Sequence, residues 1–342
     1  MQSSFTVERA DAERERSEIL RLWQLGFPSE KNFEKKFDWF YIDNPAGEPL
    51  LYFLKNDGAN IGVEGIGPKK WFVKEKRILS GLFVDLAVDP GFRSLGPALR
   101  LIREATNQTM SDVPILYGFP NPKSLPVYKR GGFEVLGEMK RYAIPLRHRD
   151  YIQKYSKVAA YLFGGVVRNL YKLSEQIRNI SLQKSIRCTE GERVSKEFDE
   201  LWNRKEKKYC MAQRDGEFLT WRFQNHPVRD DVLFTIRSKD TSELLGYIVY
   251  KISPDDNVII TDFLAQDDEI SLTALFRLFI QKMRKAGHKS ISVEFFGEDS
   301  VAQVLMKTGF KLRDATPIIY TLNKDKLDAD LGSWYLTGAD RD

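Results

Sequence analysis

The stretch that decides the fold is VDPGFRSLGPALR, residues Val88 to Arg100. The apolar run LSGLFVDLAV comes before it and is typical of a strand buried on both faces. The helical pattern PALRLIREATNQT begins within its second half. Pro90, Gly96 and Pro97 interrupt the regular pattern between the two. The sequence therefore predicts a buried strand, a loop, and a helix that begins near Gly96.

This loop has the chemistry of a phosphate site. The first turn of a helix exposes unpaired backbone N–H groups and carries a partial positive charge. Gly96 lets a ligand approach the backbone, Arg93 offers a forked cationic donor, and Pro97 suits a first helical turn. The motif is neither a Walker loop nor the dinucleotide fingerprint, because it lacks a Gly-Lys-Ser/Thr and has too few glycines. A strand–helix turn that binds nothing remains the alternative.

Composition narrows the class of protein. The chain has 342 residues, 42% hydrophobic and 30% charged, with a net charge of +5, which indicates a soluble globular protein with two domains. Two cysteines without redox or metal spacing favour a reducing cytoplasm, and no N-terminal signal core or bilayer-length apolar run is present. Three scattered histidines predict no metal site. No long basic run with interleaved aromatics suggests nucleic-acid binding.

The rest of the N-terminal half predicts a mixed α/β layer. We expect a first strand at Phe5 to Arg9 and a helix, capped by Asp11, that runs to about Leu25. LLYFLKN and NIGVEGIGPKKWFVK are predicted antiparallel strands joined by a glycine-containing turn. VPILYGF is a further strand, PKSLPVYKRG a short helix, and FEVLGEMKRYAIPL a closing pair of strands.

Three patterns recur at nearly one spacing. ILRLW is echoed by FDELW, WFYIDNP by WRFQNHP, and GGFEVLG by TGFKLRD, at offsets of 177 to 182 residues. Each match is weak alone, but together they predict two copies of one domain. We place these domains at residues 1–146 and 187–325. A chance repetition of aromatic positions is the alternative.

Two segments lie outside the copies. Residues 147–186 form a predicted linker helix whose apolar stretch, 158–167, is flanked mainly by basic residues. It either packs between the domains or makes a peripheral membrane contact through residues 150–180, and connecting helices normally bury such a face. The C-terminal tail, 326–342, carries Trp334 and Tyr335, which suggest docking onto the body, whereas a flexible end is the base expectation.

The loop and a second motif resemble one family. LAVDPGFRSLGPA is similar to the acetyl-coenzyme A loop of the GCN5-related N-acetyltransferases (GNAT), with matches at Leu86, Val88, Pro90, Arg93, Gly96 and Ala98. GFPNPKSLPVYKRGGF resembles the second half of the family pattern, with matches at Asn121, Ser124, Tyr128, Gly132 and Phe133. The resemblance covers residues 5 to 146 well and 187 to 325 weakly. It implies an α/β fold with a mixed central sheet flanked by helices, in two tandem GNAT-like domains.

The resemblance also implies roles for residues. Tyr128 is expected to protonate the leaving thiolate as general acid, and Asp85 to accept a proton from the amine through water. Structural packing of Tyr128, and a structural ion pair at Asp85, are the alternatives. Acetyl-CoA is the implied co-substrate. The residues expected to bind it are Leu86, Ala87, Val88, Arg93, Ser94, Leu95, Gly96, Pro97, Ala98, Asn121 and Ser124. Pro97 departs from the family pattern, since it removes one backbone N–H from the loop.

The second copy lacks these features. Its corresponding loop has Asp267, Asp268 and Glu269, which would repel a pyrophosphate, and Leu305 stands where the first copy has Tyr128. We therefore expect the first copy to perform the chemistry and the second to support the fold or shape the acceptor site. Trp221, Arg222 and His226 are candidate acceptor-binding residues, with core aromatics and a turn as the alternative.

These observations predict an N-acetyltransferase that moves acetyl directly from acetyl-CoA to a primary amine. The acceptor is expected to be a small molecule, and analogy suggests an amino sugar. The alternatives are a membrane-associated N-acyltransferase for longer chains and a non-catalytic CoA-fold binding module. Both a monomer and a homodimer remain open.

Overall fold

A computed structural model of the chain describes residues 5–29, 31–93, 95–147, 182, 184–205, 209–266, 269–328 and 330–342. The strands of the first half are β1 (Phe5–Ala10), β2 (Leu50–Asn56), β3 (Ala59–Val73), β4 (Lys76–Val88), β5 (Ile115–Gly118) and β6 (Glu134–Pro145). Its helices are α1 (Arg16–Gly26), α2 (Phe33–Phe37), α3 (Leu95–Thr109) and α4 (Leu125–Arg130), and a π-helical turn, 38–42, continues α2.

The second half repeats most of this order. Its strands are β7 (Ile186–Glu190), β8 (Met211–Ala212), β9 (Val232–Ser238), β10 (Leu244–Ile252), β11 (Asn257–Ala265), β12 (Ser290–Gly297), β13 (Lys311–Leu322) and β14 (Tyr335–Thr337). Its helices are α5 (Lys196–Arg204), α6 (Gly216–Leu219), α7 (Glu269–Ala286) and α8 (Asp299–Lys307), and a π-helical turn, 220–224, continues α6. The fold is therefore the predicted mixed α/β fold, and the assigned domain boundaries stay a prediction.

The two halves share one mixed sheet. Its strand order within the described ranges is β1-β2-β3-β4-β5-β13-β6-β12-β11-β10-β9-β7, while β14 pairs with β12 and β8 with β3. The final strands are exchanged, because β13 lies beside β5 of the first half and β6 lies beside β12 of the second. Each half thus completes its sheet with a strand from the other, and one hydrophobic cluster extends through both.

A reciprocal aromatic contact relates the halves. Trp39 and Trp221 stack with ring centroids 5.2 Å apart, and each indole Nε1 donates to the other's backbone carbonyl at 2.8 Å. Both residues belong to the π-helical turns and are 182 positions apart, which is the spacing of the sequence repeat. The repeated aromatic positions therefore reflect a local two-fold relation in the structure.

The segment 330–342 packs between the halves. Trp334 and Tyr335 are buried, and β14 adds this segment to the sheet. Arg214, which is fully buried, links this segment to β11: its Nη2 donates to Asp340 Oδ2 at 2.6 Å, and its Nε donates to Asp262 Oδ1, in β11, at 3.1 Å. Of the two interpretations left open for this tail, the structure therefore shows docking.

We expect Arg214→Met to destabilise the fold by about 3–5 kcal/mol, because two buried carboxylates would lose their shared cation. Chemical denaturation measures this loss, and Arg193→Met, at an exposed position, is the control with the same change of side chain. A loss below about 1 kcal/mol, the range of surface ion pairs, would show that the buried pairs contribute little.

Two local predictions are wrong. Asp11 does not cap α1; its Oδ1 accepts from the backbone N–H groups of Glu13 and Arg14 in a preceding turn, and the helix begins at Arg16. The predicted closing pair of strands is one strand, β6, because pairing with β13 and β12 keeps it extended. The predicted linker helix, 147–186, lies outside the described residues except at 147, 182 and 184–186. None of the helices in the described ranges combines the length and apolar composition that crossing a bilayer requires.

Candidate active site

A bulge in β4 creates an opening in the first half. In the antiparallel pairing of β3 with β4, Val63 pairs with Ala87 and Gly65 pairs with Val84. The two residues between on β4, Asp85 and Leu86, therefore lie opposite the single residue Glu64 of β3. Asp85 has φ +59°, in the left-handed region that Asp tolerates better than most residues. The parallel pairing of β4 with β5 ends at Phe83↔Gly118, so β4 continues to Val88 without a described strand on that side.

A cleft of about 270 Å³ occupies this opening. Its walls come from β4, from the chain after β5, from α4 and from the end of the tail. The residues lining it are Phe27, Lys36, Leu82, Phe83, Val84, Asp85, Leu86, Gly118, Phe119, Pro120, Asn121, Ser124, Tyr128, Ile319 and Asp342. The structure thus brings Asp85, Leu86, Asn121, Ser124 and Tyr128, all predicted from sequence, to one cleft.

The loop after β4 leads into helix α3. Asp89 Oδ1 accepts from the Gly91 N–H at 2.8 Å and closes a short 3₁₀ turn, Pro90–Phe92. α3 then begins at Leu95, one residue before the predicted start. A Cβ built at Gly96 would meet no atom within 4 Å, so packing does not require glycine there. Ser94 lies outside the described residues.

Arg93 has a different set of partners from the predicted one. Its Nε donates to the Val88 carbonyl at 3.0 Å, and its Nη2 donates to the carbonyls of Leu25, at 3.0 Å, and Gly26, at 3.5 Å. The side chain therefore fastens the C-terminal end of α1 to the loop. The phosphate role predicted for Arg93 stays a prediction, and the geometry gives this residue a structural role.

The second motif forms a tight turn into α4. Asn121 Oδ1 accepts from the backbone N–H groups of Lys123 and Ser124, and the Asn121 carbonyl accepts from the Ser124 hydroxyl at 3.3 Å. This turn starts the helix that carries Tyr128, whose ring packs edge-on against Phe83 and Phe133. Tyr128 is 5% exposed, so its ring is fixed.

The Tyr128 hydroxyl meets a buried carboxyl group that sequence analysis did not select. It lies 3.4 Å from both carboxyl oxygens of Glu64, which has no exposed surface. Burial, with a smaller effect of Asp85, raises the pKa of Glu64 well above its ordinary value. Burial also raises the pKa of Tyr128, and Glu64 adds to this increase. Both shifts favour the protonated form of the group.

Asp85 is part of a second network. Lys36 Nζ donates to Asp85 Oδ1 at 2.6 Å and to Asp342 Oδ2 at 3.0 Å, and the Tyr41 hydroxyl donates to Asp85 Oδ2 at 3.0 Å. Burial raises the pKa of Asp85, although Lys36 opposes the increase. For Lys36, the two carboxylates outweigh burial, so its pKa is raised and it stays charged. The cleft thus holds two carboxyl groups that share one ammonium.

Removing this ammonium should destabilise the site. We expect Lys36→Met to lower the free energy of unfolding by about 3 kcal/mol near neutral pH, because it leaves Asp85 without its cation. The loss should shrink as pH falls, since a buried carboxyl with a raised pKa destabilises the fold only above its unfolded pKa. Urea denaturation at acid and alkaline pH measures the difference. Lys35→Met is the exposed neighbouring control, and equal losses at both pH values would contradict the account.

The glycines of β3 explain how Tyr41 reaches Asp85. A Cβ at Gly65 would lie 2.0 Å from Tyr41 Oη, and one at Gly67 would lie 2.5 Å from the Phe40 ring. The π-helical turn 38–42 therefore packs directly on the backbone of β3. The segment GVEGIG contained the signal that sequence analysis missed: a glutamate among residues that are otherwise apolar or glycine. Lys36 and Asp342 gave no comparable local signal.

The three predicted acceptor-binding residues do not line the described cleft. Trp221 is buried in its stack with Trp39, and Arg222, 1% exposed, donates to the backbone carbonyls of Ala339 and Arg341. His226 lies against the Trp39 ring, and burial, with Arg229 and Arg222, lowers its pKa to about 3. These contacts are those of a packed interface between the halves. The acceptor-binding role of these three residues stays a prediction.

The second half has a cleft in the corresponding place, but different groups line it. Its volume is about 330 Å³, and Glu269 and Glu298 are among its lining residues. Glu269 begins α7, and Leu305, where the first half has Tyr128, is fully buried. Asp267 and Asp268 lie outside the described residues. The second half thus has no hydroxyl group at the position that corresponds to Tyr128.

Comparison with known proteins identifies the fold. No family model matches the sequence, and no curated protein matches it. Among solved structures, a GCN5-related N-acetyltransferase from Anabaena variabilis is similar with a TM-score of 0.66 and 15% identity, over 93% of this chain and 73% of that one. A GCN5-related N-acetyltransferase from Kribbella flavida is similar with a TM-score of 0.60 and 12% identity, over 99% and 82%.

A third similar structure is a fungal glucosamine N-acetyltransferase region within a multi-domain β-N-acetylglucosaminidase. Its TM-score is 0.59 at 10% identity, over 94% of this chain and 38% of that one. The chain therefore has the fold of the GCN5-related N-acetyltransferases, as the sequence motifs predicted. At these identities the likeness concerns the fold.

Proposed function

We propose that this chain is an acyl-CoA-dependent N-acyltransferase and that its first half carries the reaction. The observation that carries the proposal is the cleft between β4 and β5, with the Tyr128 side chain in its wall. α3 begins seven residues after the end of β4, the strand that lines this cleft. The likeness to N-acetyltransferase structures supports acyl transfer as the reaction class. Acetyl-CoA is the co-substrate to test first.

The unpaired side of β4 suits the pantetheine arm of CoA. Backbone groups from Leu86 to Val88 would bond the arm as an added strand does. The amides at the start of α3 would hold the pyrophosphate, whose charge the helix terminus favours. The open space at Gly96 fits this role, because a side chain there would occupy the path of the ligand. Pro97 contributes no N–H, so the remaining amides, those of Leu95, Gly96 and Ala98, would carry the contact.

The reaction follows from the groups in the cleft. The uncharged amine attacks the thioester carbonyl, a C–N bond forms, and the C–S bond breaks. The Val88 N–H would polarise the carbonyl, and Tyr128 would give its proton to the leaving thiolate. Asp85 would accept the amine's proton through water, a role that its raised pKa suits. The fixed geometry of Tyr128 and Asp85 lowers the entropy cost of bringing these groups together.

We propose a small primary amine as the acceptor and an amino sugar as the first candidate. The fungal glucosamine N-acetyltransferase region, which has this fold, supports that choice. The acidic groups at the cleft, Asp85 and Asp342, are compatible with an amine arriving in its protonated form.

A thiol-release assay tests the proposal. The full chain is incubated with acetyl-CoA and a panel of amines that includes glucosamine, and free CoA is measured with a thiol reagent. We expect amine-dependent release for at least one acceptor, confirmed by mass spectrometry of the amide. A panel with longer acyl-CoA thioesters tests the longer-chain alternative. Bound acetyl-CoA that no amine cleaves would favour the non-catalytic binding module, and a folded chain without acetyl-CoA binding would overturn both.

A further inference from the structure

Glu64 is a buried acid without an ion-pair partner among the described residues. It lies on β3 directly opposite the β4 bulge and is completely inaccessible to solvent. Among the described residues, its side chain hydrogen bonds only to the Tyr128 hydroxyl. An ionised carboxylate in such a place would be costly, because neither a cation nor backbone N–H groups compensate it. A neutral carboxylic acid, which can donate as well as accept, suits this environment.

The groups around Glu64 come from four elements. Tyr128 faces it from α4, Asp85 from β4, and Tyr41, whose pKa Glu64 helps to raise, from the π-helical turn 38–42. Tyr52 is its neighbour in β2, and the Tyr52 hydroxyl is already bonded to Thr109. Lys36, the cation bonded to Asp85, has Asp342 as its second partner. None of these groups is a cation bonded to Glu64, so the environment favours the protonated carboxyl group. Its proton can then be donated to the Tyr128 oxygen.

We propose that Glu64 is a positioning and proton-supplying residue behind Tyr128, so that the acid of this site is a two-group relay. The inference rests on the proposed acyl transfer and deepens it. Glu64 orients the tyrosine hydroxyl toward the thiolate and returns a proton to the tyrosine after transfer. Because it acts through Tyr128, it need not touch either substrate.

Each proton that the relay transfers has a source and a destination. As the C–S bond breaks, the thiolate takes the Tyr128 proton, and the tyrosine oxygen takes the Glu64 proton. The amine loses one proton as its C–N bond forms, and an equivalent proton restores Glu64. One proton thus leaves the amine and one reaches the thiol, with no oxidant or further reactant required. If Glu64 were ionised in the resting protein, it could not donate a proton to Tyr128. Its negative charge would also make Tyr128 a weaker acid.

The protonation of Glu64 can be tested without acceptor or CoA. Infrared spectroscopy of the full chain near neutral pH should show the carbonyl stretch of a protonated carboxyl group, and Glu64→Gln should remove it. Glu48→Gln, at an exposed position, is the matched control and should leave the band unchanged. The Tm of the wild type should also fall relative to that of Glu64→Gln as pH rises, because a raised carboxyl pKa costs stability only above the unfolded value. A spectrum without this band would overturn the proposal.

The relay is tested by the pH dependence of transfer, with the acceptor found in the amine panel. Glu64→Gln should lower kcat at least about tenfold near neutral pH while leaving the KM for acetyl-CoA unchanged. The alkaline limb of the kcat profile should move to higher pH, because the ionising group behind Tyr128 is gone. Combined with Tyr128→Phe, the change should add almost nothing. If the alkaline limb of the kcat profile does not move, or if the losses of the two single variants add up in the double variant, Glu64 has only a structural role. If the wild type transfers no acyl group, the proposed function is wrong, and the infrared result on Glu64 is unaffected.

Discussion

Gly96→Glu should abolish measurable acetyl-CoA binding while leaving the protein folded. We expect the Kd to rise at least about 100-fold, about 2.8 kcal/mol. The new carboxylate would stand among the first-turn amides of α3, where it repels the pyrophosphate and competes for the same N–H groups. The fold should tolerate it, because a Cβ at Gly96 meets no atom within 4 Å. Calorimetric titration with acetyl-CoA measures the change.

A matched control separates local from general charge effects. Asn107→Glu adds the same charge at an exposed position of the same helix, ten residues or more from the loop, and should leave the Kd within about threefold. Gly96→Ala should show whether bulk alone interferes. Undiminished binding by a folded Gly96→Glu protein would place the pyrophosphate elsewhere and remove the α3 N-terminus from the account.

Tyr128→Phe should lower kcat by about 100- to 10,000-fold, the range of a lost general acid. The aromatic ring keeps its packing on Phe83 and Phe133, so acetyl-CoA binding should be retained. Thiol release with the identified acceptor measures kcat, and calorimetry measures binding. The loss should be smaller for a thioester whose thiol has a low pKa, since such a leaving group needs less protonation.

Stability must be separated from catalysis in this variant. Phenylalanine leaves Glu64 without its partner, which should cost about 1–3 kcal/mol of unfolding free energy. Tyr52→Phe also removes a buried tyrosine hydroxyl, one bonded to Thr109 at 2.8 Å outside the cleft, and serves as the control. If both variants retain full transfer, Tyr128 is a packing residue and the thiolate takes its proton from solvent.

The parts of the fold that sequence could predict are those set by local patterns. The strand before Val88 and the helix after Gly96 follow from apolar runs and from breakers next to each other in the chain. The repeat spacing anticipated the Trp39–Trp221 relation. The exchange of β6 and β13 had no local signal, because either strand satisfies its alternating pattern beside any apolar neighbour.

The residues of the candidate site also fall into two groups, those that a local motif could predict and those that only the folded chain brings together. Asp85 and Tyr128 lie in or beside the two motifs, so a resemblance to known loops could select them. Lys36 and Asp342 come from α2 and from the far end of the segment 330–342, and only the folded chain brings them to the cleft. Glu64 comes from β3, and only the folded chain places it against the Tyr128 hydroxyl. For Arg93 the motif predicts a phosphate contact, and the folded chain adds bonds from its guanidinium to three backbone carbonyls that the sequence did not indicate.

The most direct test of the central claim is a crystal structure of the full chain with CoA. The account predicts that the pantetheine arm lies along Leu86 to Val88, with the pyrophosphate at the start of α3 and the sulfur within hydrogen-bond reach of the Tyr128 hydroxyl. CoA bound instead in the second cleft, beside Glu298, or bound with its sulfur far from Tyr128, would contradict it.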